Sequence, residues 1–177
     1  MNTSDHILQF FSSDESYVRA VGRYLHEGLA AGDTCVAVAT AEHLRMLDEY
    51  LAAAGLDVGA LSAEYRYIPL HTESTLATFF DAHSGINRPR FHRQFNQLMS
   101  QASASGRPVR VFGEMVSLLV ARGRPTAAIL LEELWNELSR EHNFSLFCVY
   151  EESEFTRDPQ NRKLLHGIHS HVLAEGA

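Results

Sequence analysis

The run Thr34–Ala39, TCVAVA, constrains the chain more than any other stretch. A strand with one wet face alternates apolar and polar side chains, and this run does not alternate. It must be covered on both faces, which is the condition of a strand inside a parallel sheet. Further short apolar runs at residues 7–11, 65–70, 109–112 and 144–150 are separated by longer stretches of helical period. After the first run, Ser12, Ser13 and Asp14 offer caps for a helix running to about Ala31. Its apolar residues Tyr17, Val21, Leu25 and Leu29 recur every four positions, and Gly32-Asp33 breaks it. Thr40 caps a second helix carrying Leu44, Leu47 and Leu51 that ends near Gly55. Helical segments are expected at about 72–83 and 88–105, with a loop containing Gly85, Asn87 and Pro89 between them. Another helix follows Gly113-Glu114. The next begins at Pro125 and buries Ala127, Leu131, Leu134, Trp135 and Leu138, with Glu132, Glu133, Glu137 and Glu141 mostly facing away. A last helix is expected at about 160–174.

This alternation predicts an α/β fold, a three-layer and mostly parallel sheet with helices on both faces. With 177 residues the chain reads as a single domain, 1–177, long enough to bury roughly 70% of its unfolded surface. Ligands in such folds bind outside the carboxyl ends of the strands. That rule selects Phe11, Ser12, Ser13, Asp14 and Glu15 after the first strand, His71 after the third, and Gly113-Glu114 after the fourth. Glu114 is the leading candidate, since a carboxylate there can accept a ligand hydrogen bond, bind a metal or act as a base. It can equally cap the following helix or pair with an arginine. His6, just before the first strand, either reaches the sheet edge or is a solvated terminal residue. Phe10 and Phe11 line a pocket or fill the core. Arg88, Arg90 and Arg93 crowd a helix N-terminus with His92, which suggests either anion or partner binding or a solvated face paired with local carboxylates.

Composition narrows the chemistry. The net charge is -7, and of the 15 basic residues only Lys163 is a lysine. It lies outside any glycine-rich turn, so a P-loop is excluded. The acidic balance argues against nucleic acid as a partner. No apolar run approaches about 18 residues, so no membrane span is expected. The N-terminus lacks signal-peptide character. Cys35 and Cys148 sit far apart in apolar runs and read as buried, reduced thiols of a cytoplasmic protein. His166, His169 and His171 raise a metal hypothesis, but without HExxH or Cys-x-x-Cys spacing no metal site and no cofactor is expected. No Gly-x-Ser-x-Gly elbow occurs, and no catalytic set is recognisable.

Several blocks resemble a known family. The opening HILQFF followed by SSDE, the segment GRYLHEGLAAGDTCVAVAT, then VRVFGEMVSLL, LLEELWNEL and FSLFCVY, and the tail HSHVL are similar to the MEDS domain, the methanogen/methylotroph, DcmR sensory domain. The likeness spans about residues 6–173. The region AHSGINRPR departs from the family's pattern. The resemblance implies a RecA/KaiC-like sheet without a P-loop, whose vacated phosphate-loop position is filled by Phe11-Ser12-Ser13-Asp14-Glu15. It also implies a non-enzymatic sensory or regulatory module of bacterial signal transduction. Proposed ligands of the family include small hydrocarbon derivatives. This chain is then expected to stand alone and to work through a signalling protein such as a histidine kinase or a transcription regulator. The expected ligand-binding residues are His6, Phe11, Ser12, Asp14, His71, Arg90 and Glu114. A homodimeric interaction scaffold and an atypical nucleotide-binding enzyme, with an arginine replacing the lysine, are the alternatives.

Overall fold

Short polar residues set where the elements begin. The computed structural model describes residues 5–153, 167 and 169–173. Strand β1 (His6–Phe11) is followed by helix α1 (Asp14–Ala31), which starts at a capping box. The Ser13 hydroxyl accepts from the Ser16 N–H at 3.2 Å. Gly32, at φ 94°, ends α1 in the left-handed conformation. Then come β2 (Thr34–Ala39), α2 (Ala41–Ala53) capped by Thr40, α3 (Val58–Ala63) capped by Asp57, and β3 (Tyr67–His71). Helix α4 (Thr72–Ala77) leads into a hairpin of β4 (Phe80–Asp81) and β5 (Gly85–Ile86). Helix α5 (Arg88–Ala102), β6 (Val109–Gly113), α6 (Met115–Ala121), α7 (Pro125–Glu141), β7 (Phe144–Glu151) and β8 (His171–Leu173) complete the described chain.

The main sheet has six strands in the order β3-β2-β6-β7-β1-β8, and every pairing in it is parallel. All six residues of β2 are buried, as its lack of alternation requires. On one face α1 and α2 lay Tyr17, Val21, Leu25, Leu44, Leu47 and Leu51 over Cys35, Ala37 and Phe112. On the other, α5 and α7 bring Phe91, Phe95, Leu131, Leu134, Trp135 and Leu138 against Val36, Val111 and Leu146. Gly22 lets α1 press on α2, since a Cβ there would stand 2.5 Å from the Tyr50 ring. The expected three-layer α/β arrangement is the one observed. Among the described residues no helix is long and apolar enough to cross a membrane.

Three elements differ from expectation. Strand β3 starts at Tyr67, because Tyr65 takes a positive φ of 57° and stays exposed in the turn after α3. The helix expected over 72–83 stops after Ala77. The Asp81 carboxylate accepts from the His83 and Ser84 N–H groups, both at 2.9 Å, and so closes the β4–β5 turn in competition with a helix. Of the helix expected at 160–174, residues 160–166, 168 and 174 lie outside the described residues, as do Lys163 and His166. Residues 171–173 are not helical but extended, pairing with Ile7, Leu8 and Gln9 of β1. Ser170 sets that register: its hydroxyl accepts from the His6 N–H at 2.8 Å, and its own N–H donates to the His6 carbonyl at 2.8 Å.

Candidate functional site

The carboxyl ends of β1, β2, β6 and β7 open on a crevice of about 380 Å³. Its polar lining comes from Ser12, Ser13, Asp14, Thr40, His43, Glu114, Ser117 and Glu151, and its apolar wall from Phe11, Tyr17, Leu118, Ala121 and Val149. Glu114 is its centre. The backbone N–H of Glu114 donates to the Val38 carbonyl at 3.0 Å, which extends the β6–β2 ladder by one rung and holds the residue in place. Glu114 stands at the N-cap position of α6 yet makes no side-chain cap there. Its carboxylate, with the residue 5% exposed, faces α1 and α2 instead. Oε2 accepts from the Tyr17 hydroxyl at 2.8 Å and lies 2.7 Å from His43 Nδ1, while Oε1 accepts from the Thr40 N–H. The Tyr17 and His43 rings stack at 3.9 Å. Glu114 makes no helix cap and, among the described residues, has no arginine partner; it is an acceptor hub at the strand ends.

Electrostatics follow from this packing. Burial pushes the Tyr17 phenol well up, and the Glu114 charge adds to that, so Tyr17 remains a hydrogen-bond donor. Burial pulls His43 down, but the hydrogen bond and charge of Glu114, helped by Asp14 and Glu42, outweigh it and leave the imidazole raised above 6.5. A raised folded value means His43 stabilises the fold fully below about pH 6.5 and stops doing so as pH climbs through the folded value. The urea stability gap between wild type and His43→Gln should therefore be largest near pH 6 and shrink toward pH 9. A gap constant across that range would dismiss the His43–Glu114 ion pair. Among the described residues the lining holds three carboxylates, Asp14, Glu114 and Glu151, and no lysine or arginine. That field disfavours phosphates.

Phe11, Ser12, Asp14 and Glu114 thus meet in one crevice, and His6, His71 and Arg90 do not join them. His71 is exposed at the start of α4. Arg90 is exposed in the first turn of α5, where its N–H donates to the Asn87 side chain. Its neighbours Arg88 and His92 both pair with Glu137, at 2.5 and 3.2 Å. His6 begins β1, about five residues and roughly 16 Å along the strand from Phe11. Sequence reasoning passed over His43, which sits three residues after the Thr40 cap, and took Tyr17 for core alone.

His6 belongs to a second cluster, under α7. Glu132, expected to face solvent, is fully buried. Its Oε2 lies 3.2 Å from His6 Nε2 and 4.0 Å from the Cys148 sulfur, and its Oε1 lies 3.4 Å from His169 Nε2 and accepts from the Tyr150 hydroxyl. Burial alone would push the Glu132 carboxyl up. Hydrogen bonds from His169 and His6, together with their charges, overcome that and hold it well below the usual carboxylate range. The sequence signal was present: Glu132 interrupts the α7 stripe between Ala128 and Trp135, so it shares their buried face. Of the histidines considered as ligands, His169 joins this cluster, and His166 lies outside the described residues. His171 is exposed, 3.4 Å from Asp5.

A search of curated proteins returns no match to the chain. The family model described as MEthanogen/methylotroph, DcmR Sensory domain matches residues 5–169, which takes in every crevice residue and both ends of the buried cluster. With a match over nearly its whole length, the chain belongs to the MEDS sensory-domain family.

Proposed function

We propose that the chain is a non-enzymatic sensory module that binds a small molecule in the crevice at the strand ends and passes the change to a signalling protein, such as a histidine kinase or a transcription regulator. The observation that carries this reading is the crevice itself, in which a buried, fully engaged carboxylate sits beside an apolar wall, with no lysine or arginine among the described lining residues. Membership of a sensory family supports it. The lining suits a small neutral or cationic molecule with an apolar body and a hydroxyl or amine donor, and it repels phosphate and carboxylate groups. We also read the scaffold as RecA/KaiC-like. In support, the sheet is wholly parallel, and the turn after β1 is only Ser12-Ser13 where a phosphate loop would lie. A bound molecule would bridge α1, α2 and the β6–α6 turn, and it shifts their arrangement only to the extent that it binds one arrangement better.

A thermal-shift panel of short alcohols, amines, carboxylates and nucleotides tests this. At about 100-fold over its Kd, a ligand should add about 2.7 kcal/mol and raise Tm by roughly 5–10 °C. The expected stabilisers are alcohols or amines, with the shift lost in Ser117→Trp, which fills the crevice. Stabilisation by nucleotides alone, or by none of the four classes, would reject the proposal.

A further inference from the structure

The cluster beneath α7 is separate from the crevice and has the composition of a coordination sphere. We propose that His6, Glu132, Cys148 and His169 form a closed, four-ligand site for a divalent transition metal of the zinc class. This inference does not depend on the crevice or its ligand.

Geometry comes first. One donor atom from each of the four residues can be chosen so that all lie within 4.8 Å of one another. Ligands arranged tetrahedrally 2.0–2.3 Å from zinc stand roughly 3.3–3.6 Å apart. His6 Nε2 stands 3.2 Å from Glu132 Oε2 and 3.5 Å from the Cys148 sulfur, and that sulfur stands 4.0 Å from the same Oε2. His169 Nε2 stands 3.4 Å from the other oxygen of the carboxylate, Oε1. The donors of His6, Glu132 and Cys148 thus lie near tetrahedral spacing, and His169 closes the set from the far side of the same carboxylate, within the 4.8 Å that encloses all four donors.

Chemistry selects the cation. Two imidazoles, a thiolate and a carboxylate form a borderline-soft set, which suits zinc and its neighbours and is poor for calcium or magnesium. Charge balance points the same way. A divalent cation with one thiolate, one carboxylate and two neutral imidazoles is neutral overall, and burial requires such compensation. The Cys148 thiol is pushed well up by burial and by the Glu132 charge, so it keeps its proton until a cation binds. On binding, the sulfur lone pair and the two Nε2 lone pairs form bonds to the metal, and the thiol proton, with any proton held on either Nε2, leaves to solvent.

Outer contacts complete the site. His6 Nδ1 lies 2.9 Å from Asn136 Oδ1. With Nδ1–H donating to that oxygen, the Nε2 lone pair is turned toward the cluster, as ligating imidazoles require. The Tyr150 hydroxyl holds Glu132 Oε1, which orients Oε2 toward His6 and Cys148. The four donors come from β1, α7, β7 and the residue just before the Ser170 turn into β8. A cation would thus clamp the end of the described chain to the sheet centre.

The test uses the untagged full chain, unfolded with a chelator and refolded with or without Zn²⁺ or Co²⁺. The expected result is one retained cation per chain, with a sulfur-to-cobalt charge-transfer band and the intense visible bands of tetrahedral Co²⁺. Cys148→Ser should lose the charge-transfer band, and His169→Gln should lose stoichiometric retention. Asn136→Ala, which leaves all four ligands in place, should weaken affinity 10- to 100-fold. Cys148→Ala keeps the core volume nearly unchanged, so the test stays readable even where a Glu132 variant fails to fold. Substoichiometric uptake by the folded wild type would overturn the proposal and leave a proton-filled hydrogen-bond network. Retention unchanged in both Cys148→Ser and His169→Gln would overturn it too.

Discussion

Glu132→Ala should destabilise the chelator-treated protein by about 3–5 kcal/mol, among the largest effects available to one surface-sized side chain here. The carboxylate is wholly buried and serves His6, His169 and Tyr150 at once. Removing it leaves those donors without their acceptor in a buried space, and the penalty is their desolvation as much as the lost attraction. Glu133→Ala is the control. That residue is one position along the same helix but exposed, so its removal should change stability by no more than about 0.5 kcal/mol. Urea unfolding with an unchanged m-value and a lowered midpoint for Glu132→Ala alone is the expected observation. Equal effects at the two positions would show that Glu132 is not engaged as described.

Glu114→Ala should cost about 2–3 kcal/mol, less than Glu132→Ala because His43, with its side chain 20% exposed, recovers some hydration. Tyr17 is fully buried and cannot. Glu114→Gln separates shape from charge. The amide oxygen still accepts from the Thr40 N–H, and the amide NH2 takes the other position, where the Tyr17 hydroxyl can turn to accept, so much of the stability should remain. The negative charge is gone, however, so the upward push on His43 goes with it and NMR titration should find the imidazole lower than in wild type. If His43 titrates at the same pH in both proteins, Glu114 is not the source of its shift. On the proposed sensory reading, both variants also lose the thermal response to the crevice ligand.

The crevice was half legible before the structure. The rule that parallel sheets bind at strand carboxyl ends, applied to apolar runs, located Phe11, Ser12, Asp14 and Glu114 together. It said nothing of His43 and Tyr17, because helix α2 meets α1 through a contact that Gly22 permits, and no local pattern encodes which turns of two helices will face each other. His71 follows a strand and satisfies the same rule, yet β3 is the sheet edge and its end does not reach the crevice. Arg90 drew notice as one of a group of charges, and two of that group, Arg88 and His92, simply neutralise Glu137.

What this sequence determined by itself was the class of fold and the order of its layers. A covered strand such as β2 has no wet face to show, and helices spaced between such strands must supply the cover. Those are short-range properties of residue type and period, and the family blocks spread along the chain carry the same information. Tertiary structure alone decided where charge is buried. Glu132 is the same residue type as exposed Glu133 and half-buried Glu137, and its place on the Ala128–Trp135 face permits burial without requiring it. It lies inside because β1, β7 and the turn before β8 bring imidazoles, a thiol and a phenol to the place where α7 crosses the sheet. Burying a carboxylate becomes tolerable only when those partners arrive from residues 6, 148, 150 and 169 together. Such compensation is a property of long-range packing, so it is invisible to any window of sequence.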